Sequence, residues 1–308
     1  MDKKFLFYLI KRVLLAILTI FLVITITFFI MHAIPGGPFA AEKAPSPEIM
    51  AALEAKYGLD KPLGEQYLDY LWDAVRFDFG PSMTKEGYEV TDWITSAFQV
   101  SAKIGLIAAG CAIVVGLVLG AIAAVNHNKL IDRIIMIVST AFVAMPAFIV
   151  GTLLLWIFVL EVPIFKANGQ GPQALVLPII TLALYPMSYI IRLTRSSMLD
   201  VLGQDYIRTA KAKGVTPSKV LFKHALRNAV TPVITYAGPM IAYILTGSLV
   251  VEKIFAITGL GDAFVSSVTN RDYTMIMGTT IFLSILVIIM MLLSDILYKI
   301  FDPRVDLS

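Results

Sequence analysis

Long apolar runs dominate the chain. Residues 13–31, 104–125, 134–160, 174–191, 229–251 and 273–294 contain no Asp, Glu, Lys or Arg and are 18 to 27 residues long. The hydrocarbon core of a bilayer is about 30 Å thick and takes roughly 20 apolar residues at ~1.5 Å each to cross. The pattern therefore predicts six membrane-spanning helices. The run 174–191 is short and is expected to continue to about Met198, with Arg192 and Arg195 snorkelling to the interface. The first run follows Lys3, Lys4, Lys11 and Arg12, as in a signal peptide. It is longer than the roughly 7–15 apolar residues of such a segment and is read as a span.

The polar stretches between the runs carry helix signals of their own. In residues 35–98, Ser46 is a candidate N-cap, Pro47 a first helical residue, Glu48 a first-turn acid and Gly58 a terminator. A second helix is expected over 63–77, with Tyr67, Leu68, Leu71, Trp72 and Val75 on one face. In residues 192–228, a short helix over 204–213 is closed by Gly214, and Thr216 with Pro217 opens another toward Arg227. Gly259-Leu-Gly261 is expected to form a tight turn.

Composition sets what such a chain can be. Of its 308 residues 58% are hydrophobic and 15% charged, with mean hydropathy +0.81, against about 45–50% and about 25% in soluble domains. Soluble-enzyme, disordered and disulfide-rich classes are excluded. Cys111 is the single cysteine, and His32, His127 and His224 lack metal-ligand spacing, so no metal site is expected. No phosphate-loop motif and no nucleophile–base pair occurs, so the chain is expected to be no enzyme and to bind no ATP itself. With the N-terminus inside, the inner segments hold 16 Lys/Arg and the outer ones 9, which places both termini in the cytoplasm.

Two connections stand out against this frame. Residues 35–98 hold 11 acidic and 5 basic residues and form either a cap on the outer helix ends or a docking surface for a soluble partner. Residues 192–228 hold eight Lys/Arg against Asp200 and Asp205. An anionic-lipid patch is one reading of that loop; docking of a cytoplasmic protein is the other, and the two-helix form favours it. Tight flanking by spans argues against nucleic acid.

Within the spans, Ala108, Ala112, Gly116, Gly120 and Ala124 recur every four residues, a ridge for close helix packing. Pro146, Pro178, Pro186, Pro232 and Pro239 are expected to kink or interrupt helices. The absence of charge inside the runs counts against an ion-coupled transporter. Polar or pliable candidates for a substrate pathway are Thr246, Gly247, Ser248 and Glu252, with Asn270 and Arg271 just before the last span. Asp295 and Lys299 are spaced to pair.

Several ordered motifs carry a family resemblance over nearly the whole chain. They are Pro35-Gly-Gly-Pro38, Tyr57-Gly-Leu-Asp-Lys-Pro-Leu63 with Gln66-Tyr67, Phe77-Asp-Phe-Gly80 and Arg192-Leu-Thr-Arg-Ser-Ser-Met198. Asp205-Tyr-Ile-Arg-Thr-Ala-Lys-Ala-Lys-Gly214, His224-Ala-Leu-Arg-Asn228, Asn270-Arg-Asp-Tyr273 and Phe301-Asp-Pro-Arg304 complete the set. The chain resembles the permeases of bacterial ABC importers, and more narrowly the first membrane subunit of the oligopeptide/dipeptide permease group. Where the broader importer pattern has Glu-Ala-Ala, this chain has Arg208-Thr209-Ala210, the variant of the peptide group.

The resemblance implies an all-α membrane protein with the type I ABC-importer transmembrane domain. Residues 1–34 would be its first helix, 35–98 an extracytoplasmic insertion and 99–308 the core, with the coupling loop at 200–228. It implies a plasma (inner) membrane location and uptake of oligopeptides, with nickel or another small solute as the alternative cargo. It also implies a second, homologous permease subunit, two cytoplasmic ATPases that hold ATP and Mg, and an extracytoplasmic peptide-binding protein. ATPase coupling would fall to Asp205, Tyr206, Arg208, Thr209, Ala210, Lys211, Ala212, Lys213 and Gly214, with the small Ala210 and Ala212 allowing close seating.

Overall fold

A chain that crosses lipid must satisfy its backbone hydrogen bonds internally, and a helix does so within one segment. The computed structural model describes residues 3–34, 37–39, 46–166 and 171–301. Apart from an antiparallel bridge between Pro81 and Glu89, its regular structure is helical. The order is α1 (Lys3–Ala33), α2 (Pro47–Lys56), α3 (Leu63–Arg76), α4 (Val90–Val125), α5 (Leu130–Ala144) and α6 (Ala147–Leu155), which runs into a π-helical turn, Trp156–Glu161. A 3-10 turn, Pro172–Leu175, leads into α7 (Val176–Leu202), and α8 (Asp205–Ala212) follows. Next is a mixed helix, Pro217–Ala229, whose ends (α9, Pro217–Lys219; α10, Arg227–Ala229) flank a π-helical stretch, Val220–Leu226. The chain closes with α11 (Thr231–Leu245), α12 (Leu249–Ile254), α13 (Leu260–Asn270) and α14 (Tyr273–Phe301).

Four helices are long and apolar enough to cross a membrane alone: α1, α4, α7 with its 3-10 turn, and α14. Two bent pairs bring the number to six when each counts as one crossing. Two of the charge-free runs are broken, the first where Pro146 is expected to interrupt it. The run 134–160 is not one straight helix, because α5 and α6 meet at 104°. Pro146 is the cause: proline pushes the residue before it out of the α region, and Met145 is extended at φ −85°, ψ 125°. The run 229–251 is also broken. It bends by 50° at Val230, and α11 stops at Leu245, before Gly247 takes φ +83°.

By internal contacts the chain divides into two compact units, one of the described residues up to Ser101 with Thr258–Ile289, the other of Ala102–Ile257 with the described residues from Met290. Helices α4 and α14 run through both.

In the second unit the small-residue ridge lies against α7. Ala108 and Ala112 are fully buried. A Cβ added at Gly116 would sit 2.7 Å from Ile190 Cγ2, and one at Gly120 would sit 2.6 Å from Thr194 Cβ and 2.7 Å from the Ile191 carbonyl oxygen. The backbones meet where side chains are missing. Ala183, Ile190, Val233 and Met240 join the same core, so α4, α7 and α11 pack as one layer.

In the first unit Ser46 accepts from the Ile49 N–H at 3.4 Å, and Gly58 at φ +66° closes α2 as expected. Helix α3 buries Ala74 and packs Tyr67 and Tyr70 against Phe28 of α1, at ring-centroid distances of 5.4 and 5.8 Å. The expected apolar face is only half right, because Leu68, Trp72 and Val75 are exposed. The packed stripe runs through half-buried Tyr67, Tyr70 and Leu71 and buried Ala74, one step round the helix. Gly259 is also not in a tight turn: it is extended (φ −102°, ψ −174°) and caps α13, and the buried Leu260 N–H donates to Ser101 Oγ at 2.8 Å.

Asp272 organises the turn into α14. Its carboxylate is 3% exposed and accepts from Ser82 Oγ, Thr84 Oγ1 (2.9 Å), the Met83 N–H (3.3 Å), Thr274 Oγ1 (3.0 Å) and the Met275 N–H (3.1 Å). The Asp295–Lys299 pairing and parts of the Pro35–Pro38 and Phe301–Arg304 motifs fall outside the described residues and side chains.

Two outcomes follow. Gly120→Ala is expected to destabilise the second unit by about 1–3 kcal/mol through overpacking, whereas Gly110→Ala, with open space around it, should be neutral; thermal denaturation in detergent separates them. Asp272 supplies a pH dependence. Burial alone would raise its pKa, but the hydrogen bonds from Ser82, the Met275 N–H, Thr84 and Thr274 hold it below the ordinary 3.8. The folded state thus binds fewer protons than the unfolded one, so this contribution is complete above pH 3.8 and fades as pH falls below it. Fluorescence of Trp93, whose ring lies 3.6 Å from Lys85 Nζ, should report that loss at low pH in a Trp72→Phe/Trp156→Phe background, and Asp272→Asn should remove the acid-dependent step.

Candidate functional site

The first candidate surface is α8 and the turn after it. An amphipathic helix of this length stands only on its packed face. Ile207 and Ala210 are buried and pack with Ala124 of α4, Met198 of α7, and Val220, Ala225 and Ala229 of the following mixed helix. The C-terminus closes as the glycine predicts: the Gly214 N–H donates to the Lys211 carbonyl at 3.0 Å, the Val215 N–H to the Ala210 carbonyl at 3.2 Å, and Gly214 takes φ +77°.

The remaining positions face outward. Asp205 and Arg208 are strongly exposed and lie 3.6 Å apart, and Thr209, Lys211, Ala212, Lys213 and Gly214 are also exposed. The Thr209 hydroxyl donates to the Asp205 carbonyl at 3.0 Å, while Tyr206 receives the Asn228 side-chain amide at 2.9 Å. The two alanines therefore separate: Ala212 is open to a partner, and Ala210 seats the helix on its own chain.

Next to that seat lies an ion pair. Arg195 does not snorkel. Its Nε and Nη2 donate to the two oxygens of Asp132 at 2.6 and 2.7 Å, a bidentate pair, and Asp132 is almost fully buried. The Asn128 N–H adds 2.8 Å to the same carboxylate, and His127 Nδ1 lies 3.0 Å from Arg195 Nη2. The pair fastens the turn between α4 and α5 to α7, one turn before Met198. Asp132 and Arg195 are 63 positions apart, and only a buried acid at a helix start beside an Arg-bearing span hinted at their meeting.

The second candidate is a cleft of 680 Å3 in the second unit. Met145 and Pro146 border it at the α5–α6 break; Thr181, Tyr185 and Pro186 come from α7, and Tyr236, Pro239 and Tyr243 from α11. Of the pathway candidates, Gly247 and Ser248 line it. Thr246 does not: its hydroxyl donates to the Tyr243 carbonyl at 2.7 Å. Glu252 is buried in the first turn of α12. Asn270 and Arg271 belong to the first unit, at the exposed end of α13, with Arg271 left-handed at φ 56°. The tyrosines were not singled out from the sequence, although polar-tipped rings inside charge-free runs are a usable signal. Among the described residues no group of His, Cys, Asp and Glu could hold a metal ion.

Residues 116–307 match the family described as binding-protein-dependent transport system inner membrane component, and residues 5–85 match the corresponding N-terminal family. The chain belongs to this family. Its relatives include the dipeptide transport system permease protein DppB of Bacillus subtilis, 48% identical over 97% of this chain and 98% of that protein. The oligopeptide transport system permease proteins OppB of Haemophilus influenzae and Escherichia coli K12 are 43% and 40% identical, over 98% and 97% of this chain and 99% and 98% of theirs. The fold is shared with a chain of an amino acid ABC transporter crystallised with histidines (TM-score 0.52, 16% identity, 70% of this chain and 95% of that one). As a binding-protein-dependent permease, the chain is a multi-pass inner-membrane transport component and not an enzyme. Family membership sets aside a solitary ion-coupled transporter.

The permease's Asp132–Arg195 pair makes a sharp test. Asp132→Leu should cost about 1–3 kcal/mol by leaving the half-buried guanidinium of Arg195 without its acceptor, and Asp132→Leu with Arg195→Met should recover most of that loss, read as denaturation midpoints in detergent.

Proposed function

We propose that this chain is the membrane-spanning permease subunit of an ATP-driven oligopeptide importer. It forms the translocation pathway with a homologous but different permease subunit. The observation that carries the reading is near-full-length relatedness to peptide permeases. Energy comes from two cytoplasmic ATPase subunits, which hold ATP and Mg; the present sequence has no phosphate loop of its own. The bias of Lys and Arg supports an orientation with both termini and α8 in the cytoplasm. An extracytoplasmic binding protein delivers the peptide on the side of residues 35–98, read as an insertion between the first helix and a core formed by 99–308.

In this reading α8 is the mechanical contact. Asp205, Arg208, Lys211 and Lys213 present charge to the ATPase, and Ala212 allows a close approach. Buried Ile207 and Ala210 pass the displacement to Ala124 and Met198, and so to α4 and α7. ATP-driven closure then biases a two-state membrane domain between inward- and outward-facing forms.

The test is reconstitution of the permease with its partner permease, ATPases and binding protein in proteoliposomes. Uptake of a labelled pentapeptide should require ATP. Ala212→Trp should abolish uptake and peptide-stimulated ATP hydrolysis while the thermal stability of the permease is unchanged, since this side chain is exposed. Uptake driven by an ion gradient without ATP would overturn the reading.

A further inference from the structure

The tyrosine cleft in the second unit carries an inference that rests on the peptide reading and deepens it. We propose that Tyr185, Tyr236 and Tyr243 hold the main chain of the peptide in transit, their hydroxyls bonding its amide groups and their rings lying against its side chains.

The positions of the rings are the first ground. Tyr185 and Tyr243 are 52% and 79% exposed although they stand on apolar spans. Hydrocarbon offers a phenol no hydrogen-bond partner, so side chains placed this way belong beside water or a polar ligand, and both border the same cleft. Tyr236 completes the set. Its ring is braced by Tyr189 at a centroid distance of 4.4 Å, which makes it a fixed platform.

Chemistry of the wall is the second ground. Among the described residues no Asp, Glu, Lys, Arg or His lines the cleft; besides the three phenols its polar side chains are Thr181 and Ser248. Thr181 donates its hydroxyl to the Leu177 carbonyl at 2.8 Å. A neutral wall whose polar groups are hydroxyls suits neutral amides, which every peptide repeats, and selects neither for nor against charged side chains. It offers an ionic cargo no counter-charge. The volume lies within the roughly 300–1,000 Å3 usual for small-ligand sites and admits a few residues of an extended chain at a time.

Interrupted backbone is the third ground. The α5–α6 break at Pro146, Pro186 within α7, Pro239 within α11 and the left-handed Gly247 all border this one cleft. Position 186 has no N–H to return to the Leu182 carbonyl, so Leu182, also on the wall, has a main-chain acceptor without its regular helical partner. Broken helices at membrane depth are tolerated where they line a cavity.

The test uses the full reconstituted assembly with saturating peptide-loaded binding protein, so that capture by that protein does not limit the rate. A pentapeptide carrying a benzophenone side chain is the probe for photocrosslinking, and a labelled pentapeptide is the probe for uptake. Adducts are expected on α7 and α11 at the cleft. The triple variant Tyr185→Phe/Tyr236→Phe/Tyr243→Phe should slow uptake about tenfold, from three hydrogen bonds each contributing about twofold. Adducts confined to other surfaces, or undiminished uptake by both the triple Phe and the triple Ala variants, would overturn the cleft assignment while wild-type import leaves the peptide reading standing. Failure of the wild-type assembly to import peptide overturns both.

Discussion

The close approach of α4 to α7 is the contact on which the second unit depends. At Gly116 and Gly120 the backbone of α4 lies directly against α7: a methyl group at either would stand inside the contact distance of the Ile190 or Thr194 side chain or the Ile191 carbonyl. In a membrane, where apolar side chains gain little by leaving lipid, van der Waals contact between small residues is a leading source of helix association. Seating α7 in this way fixes features along its whole length. Arg195 is brought to Asp132, Met198 becomes part of the seat of α8, and Tyr185 and Pro186 are set on the wall of the cleft.

The two candidate regions differ in kind for a physical reason. The α8 surface is an amphipathic element: Ile207 and Ala210 anchor it, and the charged face is exposed. Its buried side cannot slip without exposing apolar surface and opening a close-packed seat. The cleft is built from interruptions. Its three prolines lack the N–H of a regular helical bond, and a left-handed glycine ends α11 beside them; freed carbonyls are costly unless they meet water, one another or a ligand. A pathway that handles peptides of many sequences is served by backbone and hydroxyl groups better than by charges.

Local signals proved legible wherever they depend on a few neighbouring residues. Ser46 and Gly58 bound α2, Gly214 closes α8 in its left-handed conformation, and the ridge from Ala108 to Ala124 packs. Expectations failed where the answer lay across the fold. Arg195 looked like a snorkelling residue because its acceptor is 63 positions away. Leu68, Trp72 and Val75 share a helix face with Leu71, yet α1 meets α3 one step round, at Tyr67 and Tyr70. Gly259 reads as a turn former from its neighbours alone, yet it caps α13 in an extended conformation.

By itself the sequence determined the class of the molecule and the places where its helices begin, end and break. Hydrophobic length, charge distribution and proline or glycine geometry are properties of a segment and its solvent, so they need no knowledge of partners. Tertiary structure alone decided which breaks share a cleft, which tyrosines line it, which alanine of α8 is turned inward and which acid neutralises Arg195. Those outcomes depend on helix rotation and distant pairing, and a rotation of one residue about a helix axis changes them without altering the periodicity that a sequence displays.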